Sequence, residues 1–404
     1  MQRVLFLVDM NAFFISCEMT RRPELLGHPA AVAGDPKKRA GIILAANYEA
    51  RAKGVKTAMV VHEALRLCPA MILVPSDHHF YEQKSEEVMA LLSAYTPLIE
   101  QNSIDEAWLD MTGCDLLFGK PLAAAERIRD EIKDQLGLWC SIGIAENKFL
   151  SKMASEMKKP LGITELWPQD IPEKLWPLPV KAMYGIGDKT AEKLNSMGIR
   201  TVGELAGFDP HRLTKTFGKA GVEIFNHACG IDESPVIARI ADDIKSIGRS
   251  TTLPEDITDS QAAKLVLMAL ADDIGMTARR NHKKGRTVQI VLKYSDFQVI
   301  TRQMTIKETC TTKEIYQAGC SLIEQNWNAS RGIRLIGISL TGFHADAVLD
   351  QLSFFDDLGH GQGAENKNAI LDEAMDRLRS KHGVNIIKPG ALLNRPSKCR
   401  KDDY

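Results

Sequence analysis

SIDEAWLD, residues 103–110, alternates like a half-buried strand, yet it carries Asp105 and Glu106 side by side among Ile104, Ala107, Trp108 and Leu109. Neighbouring residues on a regular strand point to opposite faces, so two adjacent acids share a task only at a strand end, a turn or a bulge. The stretch is therefore expected at the tip of a hairpin. A third acid, Asp9, closes the apolar run VLFLV, and an adjacent strand can bring it to the pair. Three converging carboxylates repel one another unless cations lie between them. Two Mg²⁺ ions roughly 3.5 to 4 Å apart would relieve that repulsion and clamp the attacking and leaving oxygens of a phosphoryl displacement. Taken alone, the eight residues are equally open to a plainer reading, acids at a wet strand edge.

Outward from the hairpin, helices and strands alternate. Residues 3–8 read as a buried strand, NAFFISCEM as a helix, and GIILAANYEARAKGV as a strand running into a short helix. From Pro121 to Leu136, apolar Leu122, Ala125, Ile128, Ile132 and Leu136 recur at helical spacing, with Pro121 suited to the first helical position and Gly137 just past the end. LWCSIGIA returns as a strand. ENKFLSKMASEMKK sets Phe149, Leu150, Met153, Ala154 and Met157 on one helical face, and Pro160 stops it. On the short helix of NYEARAKGV, Tyr48 and Arg51 stand three residues apart and face the same way. Arg can grip phosphate oxygens bidentately, Tyr can donate one more hydrogen bond, and Lys159 can add a third contact. The three describe a triphosphate cradle.

The bulk numbers narrow the classes. A chain of 404 residues with 44% hydrophobic content can bury more than one core and is expected to be multidomain. Eight cysteines, with no C-x-x-C pair and no H-E-x-x-H, argue against zinc and against a disulfide framework. The apolar run before Asp9 is too short for a signal-peptide core, and no later run reaches membrane-spanning length, so a cytoplasmic location is expected. A net charge of −1 leaves nucleic acid open, because local patches matter more than the sum. Two basic runs stand out, RRNHKKGR at 279–286 and RPSKCRK at 395–401.

A Pro- and Trp-rich passage, LWPQDIPEKLWPLPVKAM, marks a boundary near residue 166. After it, YGIGDKTAEKLNSMGIRTVGELA has the form of a helix-hairpin-helix: Gly185 and Gly187 flank Ile186, a helix follows, Gly198 stops it, and a second helix starts near Val202. Such glycines let backbone N–H groups approach a phosphate while the next helix adds its positive end, with Lys189 and Thr190 in its first turn. A P-loop is excluded, since no glycine precedes Lys189. Beyond a linker at about 233–243, KSIGRSTTL, RTVQIVLKYS, VITRQMTI and RLIGISLTGF read as strands, with helices at about 259–281 and 312–327. In this α+β domain the run Arg279, Arg280, Lys283, Lys284 and Arg286 links a helix to a strand and is expected to face DNA.

In this order, FLVDMNAFF, AANYEARAKGV, SIDEAWLD, IGIAENKFLSKMASEMKKPLGI and YGIG resemble the Y-family translesion DNA polymerases, the bacterial DNA polymerase IV group most closely, over about residues 3–345. The resemblance implies a right-hand polymerase of α/β and α+β domains: a ferredoxin-like palm with small inserted fingers (1–166, fingers about 11–77), a helical thumb (167–232), a little finger (244–345), and a tail (346–404). It implies that Asp9, Asp105 and Glu106, with the backbone carbonyl of Met10, hold Mg²⁺, and that Tyr48, Arg51 and Lys159 meet the dNTP. Phe13 and Phe14 are assigned to the nucleotide, with Phe14 on the steric-gate position beneath the sugar. Ile42 and Leu44 fall in the roof over the nascent pair and are bulkier than alanine. The later QLSFF (Gln351, Leu352, Phe354, Phe355) is similar to the sliding-clamp peptide of bacterial polymerases. Primer-template DNA, dNTPs and the clamp are the implied partners of a monomer located at the nucleoid.

Asn11, where many relatives carry Asp, and Trp108, where Tyr is common, depart from the pattern. A helix with Ile370, Leu371, Ala374, Met375 and Leu378 aligned is expected in the tail. Two other classes stay open: a polymerase-shaped protein without catalysis, and another two-metal phosphoryl-transfer enzyme such as a nuclease or a nucleotide cyclase.

Overall fold

β1 (Leu5–Met10) is buried along its whole length because it runs through the middle of a five-stranded sheet ordered β5-β6-β1-β7-β8. The computed structural model describes residues 2–35, 41–238, 244–328, 330–343 and 362–393. They fall into two units, Met1–Arg239 and Ile240–Tyr404.

In the first unit β1 leads into α1 (Phe13–Arg21). β2 (Ala30–Ala33), β3 (Ile43–Ala46), α2 (Tyr48–Arg51), α3 (Val61–Leu67) and β4 (Ile72–Val74) form a small insert with its own three-stranded sheet, β3-β2-β4. α4 (His78–Leu92) brings the chain back to β5 (Ile99–Gln101) and β6 (Glu106–Asp110), an antiparallel hairpin with residues 102–105 as its tip. The two ends of the insert meet where Arg21, closing α1, pairs with Asp77, the N-cap of α4, at 2.9 Å. α5 (Asp115–Phe118), α6 (Pro121–Leu136), β7 (Cys140–Ala145), α7 (Lys148–Met157) and β8 (Ile163–Glu165) complete the layer of helices on the sheet.

α6 starts at Pro121, ends on Gly137 in the left-handed region, and buries Ala125, Ile128 and Ile132, as the spacing predicts. α7 lies against β7 so closely that a Cβ at Gly143 would fall 1.9 Å from the Ser151 carbonyl oxygen. Only glycine permits that approach. A helical part follows: α8 (Asp188–Ser196), α9 (Val202–Ala206), α10 (Pro210–Phe217) and α11 (Lys219–Ala228), gathered on a core that includes Phe149, Leu194, Leu205 and Leu213.

The second unit is an antiparallel sheet ordered β11-β10-β12-β9, built from β9 (Ser246–Ile257), β10 (Gly285–Tyr294), β11 (Val299–Thr309) and β12 (Ile333–Phe343). α12 (Ser260–Arg280) and α13 (Thr312–Asn326) cover one face, where Val288, Ile290, Ile336 and Ile338 meet Leu267, Ile274, Ile315 and Leu322. α14 (Gln362–His382) docks in an unexpected way. Its aligned apolar residues Ile370, Leu371 and Leu378 stay 45–58% exposed, while Asp372 and Arg379 are buried. Ion pairs decide the orientation: Arg379 with Asp272 at 2.7 Å, and Arg279 with Asp372 at 2.9 Å and with Asp376 at 2.6 Å.

No helix among the described residues is long and apolar enough to cross a membrane. The QLSFF segment, with Gln351, Leu352, Phe354 and Phe355, lies outside the described residues, as does RPSKCRK.

Candidate active site

Asp9 and Glu106 face each other across β1 and β6, and the Met10 N–H donates to the Asp105 carbonyl at 2.9 Å. The strand pairing thus brings residues 9 and 105–106, distant in sequence, into one place. They line a cleft of about 270 Å³ together with Met10, Phe13, Phe14, Leu44, Tyr48, Arg51, Glu156 and Lys159.

Two lysines share the acids. Lys152 Nζ lies 2.9 Å from Asp9 Oδ2 and 3.1 Å from Glu156 Oε1, and also bonds Glu106 Oε1. Lys159 Nζ lies 2.9 Å from both Asp9 Oδ1 and Glu156 Oε1. Burial opposes the charge on Lys152, but Asp9 and Glu106 outweigh it and raise its pKa; Lys159 is raised for the same reason by Asp9 and Glu156. Burial also works to raise Glu106, but its contacts with Asp9 and Lys152 hold its carboxyl below the usual range. Asp105 differs: burial, joined by the charge of Asp9, pushes it up against the bond from the Ser103 hydroxyl at 2.6 Å. A half-buried carboxylate whose charge is disfavoured in this way would be relieved by a cation.

The donor set suits a hard divalent ion. Asp9, Glu106 and Glu156 can place one carboxylate oxygen each within 4.8 Å of one another, an all-oxygen cluster. Asp105 lines the same cleft without belonging to that trio. Sequence reasoning named Asp9, Asp105 and Glu106 and missed Glu156 and Lys152. Their signal was available, since Lys148, Lys152 and Glu156 repeat at helical spacing along α7 as a polar stripe beside the apolar face.

Across the cleft, α2 is capped by Asn47, whose side chain accepts from the Ala50 N–H. Its Arg51 guanidinium lies 5.2 Å from the Tyr48 ring and donates to the Ala46 carbonyl at 2.8 Å. The Tyr48 hydroxyl is buried with no hydrogen-bond partner among the described residues, and burial pushes its pKa up. Tyr48 lines the cleft, and a buried hydroxyl without a partner is complete only when an acceptor reaches it. Phe13 is core, 3% exposed; Phe14 is partly open to the cleft and stacks on Tyr81. Asn11 is buried: its Nδ2 donates to Ser141 Oγ at 3.0 Å and its Oδ1 accepts the Leu161 N–H at 2.9 Å, two residues from Lys159. Trp108 donates to Ser151 Oγ at 3.1 Å, tying β6 to α7.

The remaining nominated residues are not among those that line the cleft. Gly185 takes φ +88, Gly187 is the N-cap of α8, and Lys189 is exposed in its first turn ahead of Thr190. In the other unit Arg280 and Lys284 are exposed, and Lys283 and Arg286 are partly buried. Arg279 departs from the expectation of a DNA contact: its guanidinium is turned inward, its side chain only 10% exposed, and it is spent on Asp372, Asp376 and the Cys310 carbonyl.

Comparison with known proteins places similarity along the whole chain. The impB/mucB/samB family model matches residues 8–156, the model of the family's C-terminal domain matches 244–354, and that of the IMS family HHH motif matches 168–199. DNA polymerase IV of Clostridium kluyveri is 58% identical over 98% of this chain and 99% of its own. DNA polymerase IV of Alkaliphilus oremlandii is 56% identical over 97% and 100%, and DNA polymerase IV 1 of Bacillus subtilis 39% over 99% and 95%. Among solved structures, a Y-family DNA polymerase chimera superposes with a TM-score of 0.75 at 26% identity, covering 85% of this chain and 100% of that one.

Proposed function

This chain belongs to the impB/mucB/samB family of Y-family DNA polymerases and is a DNA-directed DNA polymerase; from that premise we propose that it extends primers by two-metal nucleotidyl transfer from dNTPs and serves error-prone synthesis past damaged template bases. The observation that carries this reading is the register of Asp9 against Glu106, with Asp105 adjacent, on one side of a cleft whose other side presents Tyr48 and Arg51.

Asp9, Asp105 and Glu106, with the Met10 carbonyl, would hold two Mg²⁺ ions, which when bound supply Lewis-acid activation of the primer 3′-hydroxyl and charge neutralisation on the leaving pyrophosphate. The chain's own groups do the rest. Tyr48 donates its open hydroxyl to a phosphate oxygen, Arg51 grips the triphosphate, and Lys159 adds positive charge. Phe14 excludes a 2′-hydroxyl from the space beneath the sugar, with Phe13 as the core residue behind it. Ile42 and Leu44 form a bulky roof that admits one template base. The five-stranded sheet region, 1–166, is the palm with fingers inserted at about 11–77, residues 167–232 the thumb, 233–243 the linker, 244–345 the little finger, and 346–404 the tail.

Primer-template DNA is held by its backbone at Gly185, Gly187, Lys189 and Thr190, through N–H groups at the start of α8, and by Arg280, Lys283, Lys284 and Arg286 on the little finger. The QLSFF segment binds a sliding clamp, and the protein works as a cytoplasmic, nucleoid-associated monomer. The test is primer extension with Mg²⁺ and four dNTPs, wild type beside an Asp105→Ala, Glu106→Ala double mutant. Extension by the wild type alone is expected; binding of primed DNA without extension by either would put the non-catalytic reading in its place.

A further inference from the structure

α1 carries Phe14, Glu18 and Arg21 at positions i, i+4 and i+7, which one helical face presents together. The Phe14 ring stacks on that of Tyr81 from α4, centroids 4.5 Å apart and planes at 15°, and the His78 ring meets Phe14 edge-on at 5.7 Å and 89°. Tyr81 is itself fully buried, and at its far end the hydroxyl donates to Glu18 Oε1 at 2.7 Å. Glu18 is fully buried too. Arg21 answers its charge in fork geometry, Nε to Oε2 at 3.0 Å and Nη2 to Oε1 at 2.7 Å. The third arm of the guanidinium, Nη1, reaches Asp77 Oδ2 at 2.9 Å, while Asp77 Oδ1 caps the Phe80 N–H at 3.2 Å in the same first turn that holds Tyr81.

This is more than core packing requires. An aromatic pair alone leaves the rings able to slide and tilt, since stacking is broad in geometry. A buried carboxylate is costly in a core and persists only where it is fully paired. Here the carboxylate fixes the far end of the plate against which Phe14 rests, and Arg21 fixes the carboxylate. Burial, reinforced by Glu18, pushes the Tyr81 phenol up, so it stays a hydrogen-bond donor through the neutral range.

We propose that Tyr81, pinned by the Glu18 and Arg21 pair, is a positioning residue that sets the plane of the Phe14 ring and so the strength of sugar discrimination. The inference rests on the reading of Phe14 as the gate beneath the sugar and adds what holds the gate still. Tyr81→Phe keeps both rings and deletes only the bond to Glu18. Glu18→Gln keeps an acceptor of the same shape and deletes the charge.

The experiment is single-nucleotide insertion on primed DNA, comparing kcat/KM for a dNTP with that for the matching rNTP in wild type, Tyr81→Phe, Glu18→Gln, Phe14→Ala and the Phe14→Ala, Tyr81→Phe double mutant, with thermal denaturation alongside. Loss of one charge-assisted hydrogen bond is expected to lower the dNTP/rNTP ratio roughly three- to tenfold in Tyr81→Phe. The same substitution in the Phe14→Ala background should change the ratio no further, because the ring it steadies is gone. If Phe14→Ala lowers the ratio while both single variants keep the wild-type ratio, even at reduced thermal stability, the network is only structural and the inference is overturned. If Phe14→Ala itself leaves the ratio unchanged, the gate reading fails first and takes this inference with it.

Discussion

Lys152 Nζ sits 2.9 Å from Asp9 Oδ2 and bridges that carboxylate to Glu106 on the neighbouring strand. The lysine comes from α7 and the acids from β1 and β6, so one ammonium ties together three elements whose acids line the cleft. Lys152→Ala removes the counter-charge of a group that is 8% exposed. Chemical denaturation in EDTA should show a loss of about 2 kcal/mol, below the full cost of breaking a buried pair because the cleft is open to water. Mg²⁺ should restore part of it, since a cation that binds the folded site alone stabilises it. An equal deficit with and without Mg²⁺ would contradict the shared-cation account.

Gly143→Ala is expected to harm the site from behind. Its new methyl would sit 1.9 Å from Ser151 O and 2.5 Å from Ser155 N, both backbone atoms of α7. The helix must back away, and with it Lys152 and Glu156. A stability loss of about 3 kcal/mol is expected, together with a larger fall in primer extension than Ala145→Gly produces on the same strand.

Asn11 separates two roles that one side chain plays. Asn11→Ala leaves the Leu161 N–H without its acceptor, and about 1–2 kcal/mol should be lost, with a raised KM for dNTP because Lys159 lies two residues away. Asn11→Asp keeps the acceptor for the Leu161 N–H, and the Ser141 hydroxyl, no longer accepting from Nδ2, can donate to the carboxylate instead, so KM should stay near wild type. Steady-state insertion kinetics on the two variants decide it.

Arg279→Ala and Arg280→Ala should behave oppositely. The first strands Asp372 and Asp376 on α14, and about 2–4 kcal/mol of stability in the second unit should go with it. Limited proteolysis should then cut within α14. The second removes an exposed charge, so stability should hold while DNA binding becomes less salt-dependent.

His227 gives a pH dependence. It stacks on Phe149 at 4.3 Å, and burial lowers its pKa from the ordinary 6.5, against the pull of Asp232 and Glu223. The unfolded chain thus takes up a proton first as the pH falls. Stability from the neutral ring is complete above about 6.5 and is lost as the pH drops from there toward the folded value. Denaturation midpoints between pH 8 and 5 should fall less steeply in His227→Phe than in wild type.

What the sequence disclosed followed from periodicity and from local chemistry. The helix from Pro121 to Leu136 was readable from its repeated spacing and the strand of VLFLV from its unbroken apolar run, and the pairing of Asp9 with the 105–106 acids followed from the strangeness of charges on a half-buried strand. Lys152 left a signal of spacing but none of purpose. It stands among apolar neighbours whose pattern explained the helix, and its role appears only when β1 and β6 bring their acids to it. Arg279 was misplaced because a basic run looks like surface until its partners are known, and Asp372 and Asp376 lie more than ninety residues downstream. The Glu18 and Tyr81 bond is equally non-local, spanning 63 positions.

The clasp between Arg21 and Asp77 makes the insert a cassette. Everything between them, with its own three-stranded sheet, leaves and re-enters the rest of the first unit at one point. A transplant from a relative that is cut there would exchange Ile42, Leu44, Tyr48 and Arg51 in a single piece. It would leave Asp9, Phe14, Tyr81, Asp105 and Glu106 in the recipient, so recombination at these two junctions would exchange the proposed roof and triphosphate contacts together while the acid cluster stays behind.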